Sequence, residues 1–146
     1  MPPRKNAQNY RLLIALLLVG VIFFLTYISF RNYKIEKYSE DNKVNIILMH
    51  ANWCGHCVKY LEEGTFAQVS SEMKGNSMVE FKELEYDANK DKAEKYGIAG
   101  FPSIVAVNSK DEKILDFSTF KNGSANRSNP EDIKEFVAAA LASVSK

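Results

Sequence analysis

An uncharged apolar segment near the N-terminus constrains the folding of this chain more than any other feature. Residues Leu12 to Phe30 contain no charged side chain, and as a helix they are about as long as the hydrocarbon core of a bilayer is thick. A buried helix of a soluble domain is seldom apolar on every face over such a length. We therefore predict one transmembrane helix at residues 12–30, between a short N-terminal tail at residues 1–11 and a charged juxtamembrane linker at residues 31–43.

A cleaved signal peptide is the alternative interpretation of this segment. Signal peptides usually have a shorter apolar region that ends in small residues, whereas this segment ends in Tyr27-Ile28-Ser29-Phe30. Tyr27 and Phe30 at one end, with Tyr10 at the other, also suit the aromatic belts of a membrane helix. We therefore expect an uncleaved anchor.

The only two cysteines of the chain stand three positions apart, within Trp53-Cys54-Gly55-His56-Cys57. At this spacing they fit the first turn of a helix, where free amides and the helix dipole stabilise a thiolate on the first sulfur. Cys54 is therefore the predicted nucleophile of thiol-disulfide exchange, and Cys57 is the predicted resolving thiol. His56 can place positive charge beside the thiolate, and Trp53 offers a flat apolar surface next to it.

Three other interpretations of the cysteine pair stay open. A structural zinc site normally needs a second pair of ligands, but the only histidines, His50 and His56, crowd the first pair. A purely structural disulfide would close a loop too short to remove much entropy from the unfolded chain. A binding module that keeps the motif is the third interpretation. No metal, flavin or nucleotide site is predicted, so the redox centre would be the cysteine pair itself.

Residues 44–146 are predicted to form one α/β domain. The pattern predicts strands at 44–49, 79–87, 103–107 and 113–117, and helices at 54–74, at 89–96 and from Pro130 onward, with Asn129 as the cap of the last helix. On the long helix an apolar stripe runs from Val58 to Met73, and Gly64 is expected to bend it. This order of elements gives a sheet with one parallel crossover and one antiparallel edge, covered by helices on both faces.

With these motifs the chain resembles the thioredoxin superfamily, and within it the protein disulfide isomerase branch. The resemblance rests on residues 51–57, on Tyr86-Asp87-Ala88-Asn89 and on residues 96–103, which include Gly100-Phe101-Pro102-Ser103. It implies a thioredoxin-like α/β fold with a central mixed sheet flanked by helices, here preceded by one transmembrane helix. It also implies that the substrates are cysteine-containing proteins.

The resemblance assigns the substrate platform to two residues far from the cysteines in sequence. It implies that Pro102 is a cis proline packed against the cysteine pair. Phe101 would then expose its backbone to an extended substrate segment, so that Trp53, Phe101 and Pro102 form the substrate-binding set. An ordinary trans proline that opens a strand is the alternative.

Two departures from the family pattern affect the expectations. Relatives bury an acid at the position of Leu48, where it accepts and returns the proton of the resolving thiol. Glu83 on the neighbouring strand is the candidate proton relay, with an exposed strand glutamate as the alternative; His50 could serve too. The short segment before Val44 leaves room for a sheet of four strands, with five as the alternative.

These features predict a membrane-anchored thiol-disulfide oxidoreductase that forms or rearranges disulfides in proteins outside the reducing cytosol. Basic residues flank both ends of the apolar segment, so the positive-inside rule does not fix its orientation. Two sequons, Asn122-Gly123-Ser124 and Asn126-Arg127-Ser128, are compatible with a luminal domain. The endoplasmic reticulum or an internal viral membrane would suit such a protein.

Two alternatives to this function remain. A membrane-tethered thiol reductase would run the same chemistry in the opposite direction, with a redox partner that the sequence does not identify. A thioredoxin-like structural or adaptor protein of a membrane or virion assembly would only bind partners. The net charge of +1 gives no general affinity for nucleic acid.

Overall fold

The structure, a computed structural model of the chain, describes the backbone of residues 5–145 and the side chains of residues 10, 11, 13–33 and 42–145. Residues 1–4 of the predicted N-terminal tail and Lys146 lie outside the described residues. The chain divides into two compact units, Met1–Tyr38 and Ser39–Lys146. The first unit carries the apolar segment and the second carries the cysteine pair.

Helix α1, Lys5–Asp41, contains the apolar segment. Its stretch Leu13–Tyr33, 21 residues with a mean hydropathy of 2.7, is long and apolar enough to cross a membrane, and none of it is buried. Leu17 and Phe23 are six residues apart and so lie on different faces, yet they are 70% and 72% exposed. The helix continues through residues 31–41 of the predicted linker, because the Arg, Lys and Glu residues there are good helix formers.

The second unit is built on a four-stranded mixed sheet with the order β2-β1-β3-β4. Its strands are β1 (Val44–His50), β2 (Val79–Glu85), β3 (Ser103–Asn108) and β4 (Lys113–Asp116). β1 pairs with β2 in parallel and with β3 antiparallel, and β4 pairs antiparallel with β3. The predicted thioredoxin-like α/β fold with four strands is confirmed. The sequence of β1 is a nearly continuous apolar run because both of its faces are covered.

The helices of this unit are α2 (Gly55–Glu63), α3 (Thr65–Glu72), α4 (Lys90–Lys95) and α5 (Pro130–Val144), with a short 3-10 turn at Phe120–Gly123. The single helix predicted at residues 54–74 is wrong, because α2 and α3 are separated by Gly64. Gly64 has φ +69°, a left-handed conformation that glycine adopts readily, and its N–H donates to the Leu61 carbonyl at 3.1 Å.

The break at Gly64 also changes which side chains are buried. Val58, expected on the apolar stripe, is 43% exposed, whereas Tyr60 on the same helix is buried. In α3, Phe66 and Val69 are buried. The predicted stripe assumed one continuous helix, and the change of direction at Gly64 means that α2 and α3 each have their own buried face.

The larger core lies on the face of the sheet that packs against α2, α3 and α5. It contains Ile46 and Leu48 of β1 together with Tyr60, Phe66 and Phe136 of the helices. Leu48 is fully buried, so an apolar side chain occupies the position where the resemblance expects a buried acid.

A smaller core covers the opposite face of the sheet. It consists of Ile47, Val105 and Val107 with Tyr96, the residue that follows α4. Helices therefore cover both faces, as predicted. At the start of α5, Oδ1 of Asn129 accepts the N–H of Glu131 at 3.2 Å, so Asn129 is the helix cap that the sequence indicated.

Candidate active site

The two cysteines lie where β1 runs into α2. Cys54 is the N-cap of α2, with extended backbone angles of φ −92° and ψ 108°. Its carbonyl oxygen accepts the N–H groups of Cys57 at 2.9 Å and of Val58 at 3.1 Å, as the first turn of a helix requires. Both thiols are free; Cys54 is partly exposed and Cys57 is buried. The outer sulfur is accessible to a substrate and the inner one is not.

The Cys54 thiol has a pKa below its ordinary value. The main cause is a hydrogen bond from the Cys57 side chain, assisted by the backbone N–H groups of Cys57 and His56 and by the charge of Arg127. Partial burial opposes these effects. Hydrogen bonds to the charged form favour it, so Cys54 is the thiol that ionises more readily of the two.

The Cys57 thiol has the opposite shift. Burial, followed by its hydrogen bond to Cys54, raises the pKa of Cys57 to about 11. The N–H of Ala51 and the charge of Arg127 lower this pKa, but they do not offset the burial. The pair therefore consists of an accessible thiol that ionises more readily and a buried thiol that donates a hydrogen bond to it.

His56 acts on Cys54 through its backbone. The contribution of His56 to the lowered pKa of Cys54 is a hydrogen bond from the main-chain N–H, and the side chain is exposed. The predicted electrostatic role of the imidazole ring stays a prediction.

The loop before β3 lies against the outer cysteine. The Phe101–Pro102 peptide bond is cis, and Sγ of Cys54 lies 3.7 Å from the Phe101 carbonyl oxygen. Ser103 Oγ donates to the Gly100 carbonyl at 2.7 Å, within the same loop. Residues separated by more than forty positions in sequence thus meet at one sulfur.

Three aromatic rings surround this meeting point. Trp53 is 66% exposed and meets Phe101 edge to face, with ring centroids 5.9 Å apart. Tyr86 lies 4.7 Å from Phe101 and 6.4 Å from Trp53, again between centroids. Nε1 of Trp53 donates to Oδ2 of Asp87 at 3.1 Å, which holds the exposed indole in place. We name Trp53, Tyr86 and Phe101 the aromatic rim.

Arg127 is a site residue that the sequence analysis missed. Its Nη1 donates to the Pro102 carbonyl at 3.0 Å, and its own carbonyl accepts the Tyr60 hydroxyl at 3.0 Å. The charge of Arg127 lowers the pKa of both cysteines. In the sequence it stands out only as the middle residue of a sequon, and no periodicity links it to Cys54.

Glu83, the predicted proton relay, is the register partner of Leu48 in the β1–β2 pairing. Its side chain is exposed, and its charge contributes to raising the pKa of Tyr60. The charged groups that act on Cys57 are Cys54 and Arg127. Glu83 therefore lies beside the expected acid position, and its role stays a prediction.

Comparisons with known proteins agree with this arrangement. The family model described as Thioredoxin matches residues 25–136. Protein disulfide isomerase-like 2-2 of Oryza sativa subsp. japonica is 37% identical over 65 residues, 44% of this chain and 17% of that protein. Protein disulfide-isomerase like 2-2 of Arabidopsis thaliana is 36% identical over 73 residues, 50% of this chain and 15% of that protein. The chain thus spans less than a fifth of the length of these curated relatives.

Solved structures with low sequence identity share the fold. The solution structure of the first thioredoxin domain of mouse protein disulfide-isomerase A4 has a TM-score of 0.54 at 21% identity, covering 73% of this chain and 69% of that chain. Human ERp44 has a TM-score of 0.54 at 16% identity, covering 73% of this chain and 30% of that chain. Because the family model covers most of its length and the fold agrees, this chain belongs to the thioredoxin family, with protein disulfide isomerase-like proteins among its relatives.

Proposed function

We propose that this chain is a membrane-anchored thiol-disulfide oxidoreductase that forms or rearranges disulfide bonds in proteins. The observation that carries the proposal is the opposite shift of the two thiols, because the pKa of Cys54 is lowered while that of Cys57 is raised. The outer thiolate can attack a substrate while the inner thiol keeps its proton until the second step. In this proposal the redox centre is the cysteine pair itself.

The oxidising reaction would begin with a substrate thiolate that attacks Sγ of Cys54 in the Cys54–Cys57 disulfide. The bond between the two cysteines breaks, and Cys57 leaves as a thiolate that takes up a proton. A second substrate thiolate then attacks the substrate sulfur of the mixed disulfide, so that a substrate disulfide forms and Cys54 leaves as a thiolate. Two electrons pass from the substrate to the cysteine pair. The hydrogen bonds that stabilise the Cys54 thiolate make it a good leaving group.

The substrate platform in this proposal consists of Trp53, Phe101 and Pro102. The Phe101 carbonyl lies 3.7 Å from Sγ of Cys54, so an extended peptide bound along this loop would bring a cysteine within reach of the nucleophile. The aromatic rim offers apolar area beside the sulfur. Such a platform suits exposed cysteines in incompletely folded proteins.

Membrane attachment through residues 12–30 is the second part of the proposal. It is supported by the exposed apolar stretch of helix α1. The apolar segment ends in Tyr27-Ile28-Ser29-Phe30 and lacks the small residues of a signal-peptide cleavage site. We place the domain on the luminal side, because a cysteine pair that oxidises substrates works outside the reducing cytosol.

The test is disulfide exchange by the full chain in detergent or nanodiscs, with Cys54→Ser, Cys57→Ser and the double variant. We expect insulin reduction and refolding of scrambled ribonuclease to be lost in Cys54→Ser and in the double variant, while far-UV circular dichroism stays unchanged. Wild-type activity no greater than that of the double variant would contradict the enzyme and favour an adaptor protein. A reduction potential of about −180 mV supports oxidation or isomerisation, whereas one of about −270 mV supports a reductase.

Glu83 enters the proposal as the candidate relay for the proton of Cys57. Its support is the register pairing with Leu48. If Glu83 is the relay, Glu83→Gln should slow the step in which Cys57 resolves the mixed disulfide and leave the attack by Cys54 unchanged; if His50 is the relay, Glu83→Gln should leave both steps unchanged.

A further inference from the structure

His50 and Glu85 end the neighbouring strands β1 and β2 side by side. They are register partners in the parallel pairing, so their side chains emerge next to each other on one face of the sheet. Each has a buried polar atom without a hydrogen-bond partner among the described side chains, Nδ1 of His50 and Oε1 of Glu85. Oε2 of Glu85 accepts the N–H of Ala88 at 3.0 Å. Unpartnered buried polar atoms are unusual in folded proteins and call for a reason.

The face that carries this pair is the one that packs against α2. Leu48 lies in the same core as Tyr60 of α2, and side chains alternate along a strand, so His50 lies on the side of Leu48. The Cys57 thiol receives a hydrogen bond from the N–H of Ala51, the residue that follows His50. The imidazole and the resolving thiol therefore share the corner where β1 runs into α2.

The resolving thiol needs a proton acceptor at this corner. Burial keeps Cys57 protonated at neutral pH, and Leu48 supplies no carboxylate. Other titratable or charged groups on this side of the domain are less suited to accept the proton. Burial raises the pKa of Tyr60 to about 12, the guanidinium of Arg127 is already protonated and cannot accept another proton, and Glu63 and Glu83, whose charges also act on Tyr60, are exposed. A neutral imidazole can both accept and return a proton.

We propose that His50 accepts and returns the proton of Cys57, and that Glu85 is a positioning residue that stabilises the protonated ring. The inference rests on the proposed function, because it assigns the proton of its second step. A carboxylate beside an imidazolium favours the charged form. The pair would take over the task that a buried acid at Leu48 performs in relatives.

When the reduced pair meets a disulfide, the Cys54 thiolate attacks first and forms a mixed disulfide with the substrate. After Cys54 has attacked, the proton of the Cys57 thiol passes to His50, and the Cys57 thiolate attacks Sγ of Cys54. The bond between the two cysteines forms, and the bond from Cys54 to the substrate sulfur breaks. The departing substrate thiolate takes up a proton, which His50 can supply. The cysteine pair is oxidised by two electrons and the substrate disulfide is reduced.

The experiment follows both steps in the reduced full chain by stopped flow, with an aromatic disulfide reagent that releases a coloured thiolate at each step. The first phase, attack by Cys54, is proportional to reagent concentration; the second, attack by Cys57, is independent of it. We expect His50→Gln to slow the second phase about 10²-fold at neutral pH, and Glu85→Gln to slow it less. In His50→Gln the second phase should rise in proportion to hydroxide concentration, because only direct ionisation of Cys57 remains.

The matched control for Glu85→Gln is Glu80→Gln, which also removes one negative charge from β2. Glu80 is exposed, and its Oε2 lies 3.2 Å from Nζ of Lys82. This control should leave both phases unchanged. A second phase within twofold of wild type in His50→Gln or in Glu85→Gln overturns the assignment, as does a slow second phase in Glu83→Gln alone. If wild type lacks the first phase, the proposed function itself fails, so the two failures are distinguishable.

A second measurement needs no substitution in the domain. Selective histidine labelling of the full chain in micelles allows the ring nitrogens of His50 to be followed by NMR at neutral pH in the dithiol and disulfide states. If the imidazole lies within proton-transfer reach of the Cys57 thiol, the ring-nitrogen chemical shifts of His50 differ between the two states, because the disulfide has no thiol to donate. Identical shifts would overturn the assignment even where His50→Gln fails to fold.

Discussion

At the scale of single residues, the nucleophile depends on its partner as a hydrogen-bond donor. The largest cause of the lowered pKa of Cys54 is the hydrogen bond from the Cys57 side chain. We expect Cys57→Ala to raise the pKa of Cys54 towards its ordinary value, because the thiolate loses this donor, whereas Cys57→Ser keeps a hydroxyl donor. The measurement is the pH dependence of iodoacetamide alkylation in the two variants. Equal alkylation midpoints would show that a donor on the side chain of residue 57 does not stabilise the thiolate.

Arg127 supplies the second prediction at this scale. Its charge lowers the pKa of Cys54 and Cys57, so Arg127→Gln should raise both and slow alkylation of Cys54 at neutral pH. Arg127→Lys keeps the charge but not the planar fork that reaches the Pro102 carbonyl, and should retain most of the reactivity. If both variants react like wild type, the guanidinium serves only to hold the loop.

The roles of single residues could be predicted where the reason is local. Cys54 was identifiable as the outer thiol because two local signals indicate it. Cys57 follows three positions later, and a helix is predicted to begin at the same point of the sequence. Arg127 was not identifiable, since it meets Pro102 through a loop 25 positions further along the chain, and sequence spacing carries no signal for such a contact.

At the scale of elements, the break between α2 and α3 was the least predictable feature. The apolar residues from Val58 to Met73 fit one helical stripe, and an interior glycine is often tolerated. What decides the break is the left-handed backbone of Gly64, which is a conformation and not a residue pattern. Strand β1 was predictable because it is buried on both faces, and its sequence is therefore an almost continuous run of apolar residues.

Gly64 also gives a prediction about stability. No side chain or backbone atom lies within 4 Å of the position that a Cβ would take at Gly64, so the penalty of Gly64→Ala is conformational, about 1 kcal/mol. We expect the Tm of the domain to fall by roughly 4–8 °C. Gly75→Ala is the control, because Gly75 is exposed and lacks a positive φ. An equal Tm for both variants would mean that the turn relaxes without strain.

At the scale of the whole molecule, the short N-terminal part of the domain leaves β2 at the edge of the sheet. An edge strand offers unpaired backbone groups, and charged side chains discourage pairing with another chain. β2 carries Glu80, Lys82 and Glu83, with an ion pair of 3.2 Å between the first two. These charges explain why the β2 pattern is less apolar than that of β1. Four strands could be predicted from the sequence for another reason, because the charged segment before Val44 leaves little room for an additional strand and helix.

The anchor can be tested through its apolar core. Val21→Lys with Phe24→Lys places two charges near the middle of the Leu13–Tyr33 stretch, at about 2.5–3.5 kcal/mol each. We expect the variant to leave the membrane fraction on alkaline extraction, while the wild-type chain stays with it at full intact mass. Tyr10→Lys with Tyr33→Lys is the control, because lysines at the ends of a span reach the interface. A wild-type mass reduced by cleavage would show a signal peptide instead.

The orientation of the anchor can be tested through the two sequons of the domain. Asn122 and Asn126 are both exposed, and N-glycosylation of Asn-X-Ser takes place on surface segments of secreted proteins. If the domain is luminal, the chain made in eukaryotic cells should shift in mobility on glycosidase treatment, and Asn122→Gln with Asn126→Gln should abolish the shift. Proteinase added to sealed microsomes should leave the domain intact. Digestion of the domain without detergent would place the cysteine pair in the cytosol. A membrane-tethered thiol reductase would then be the better hypothesis for its function.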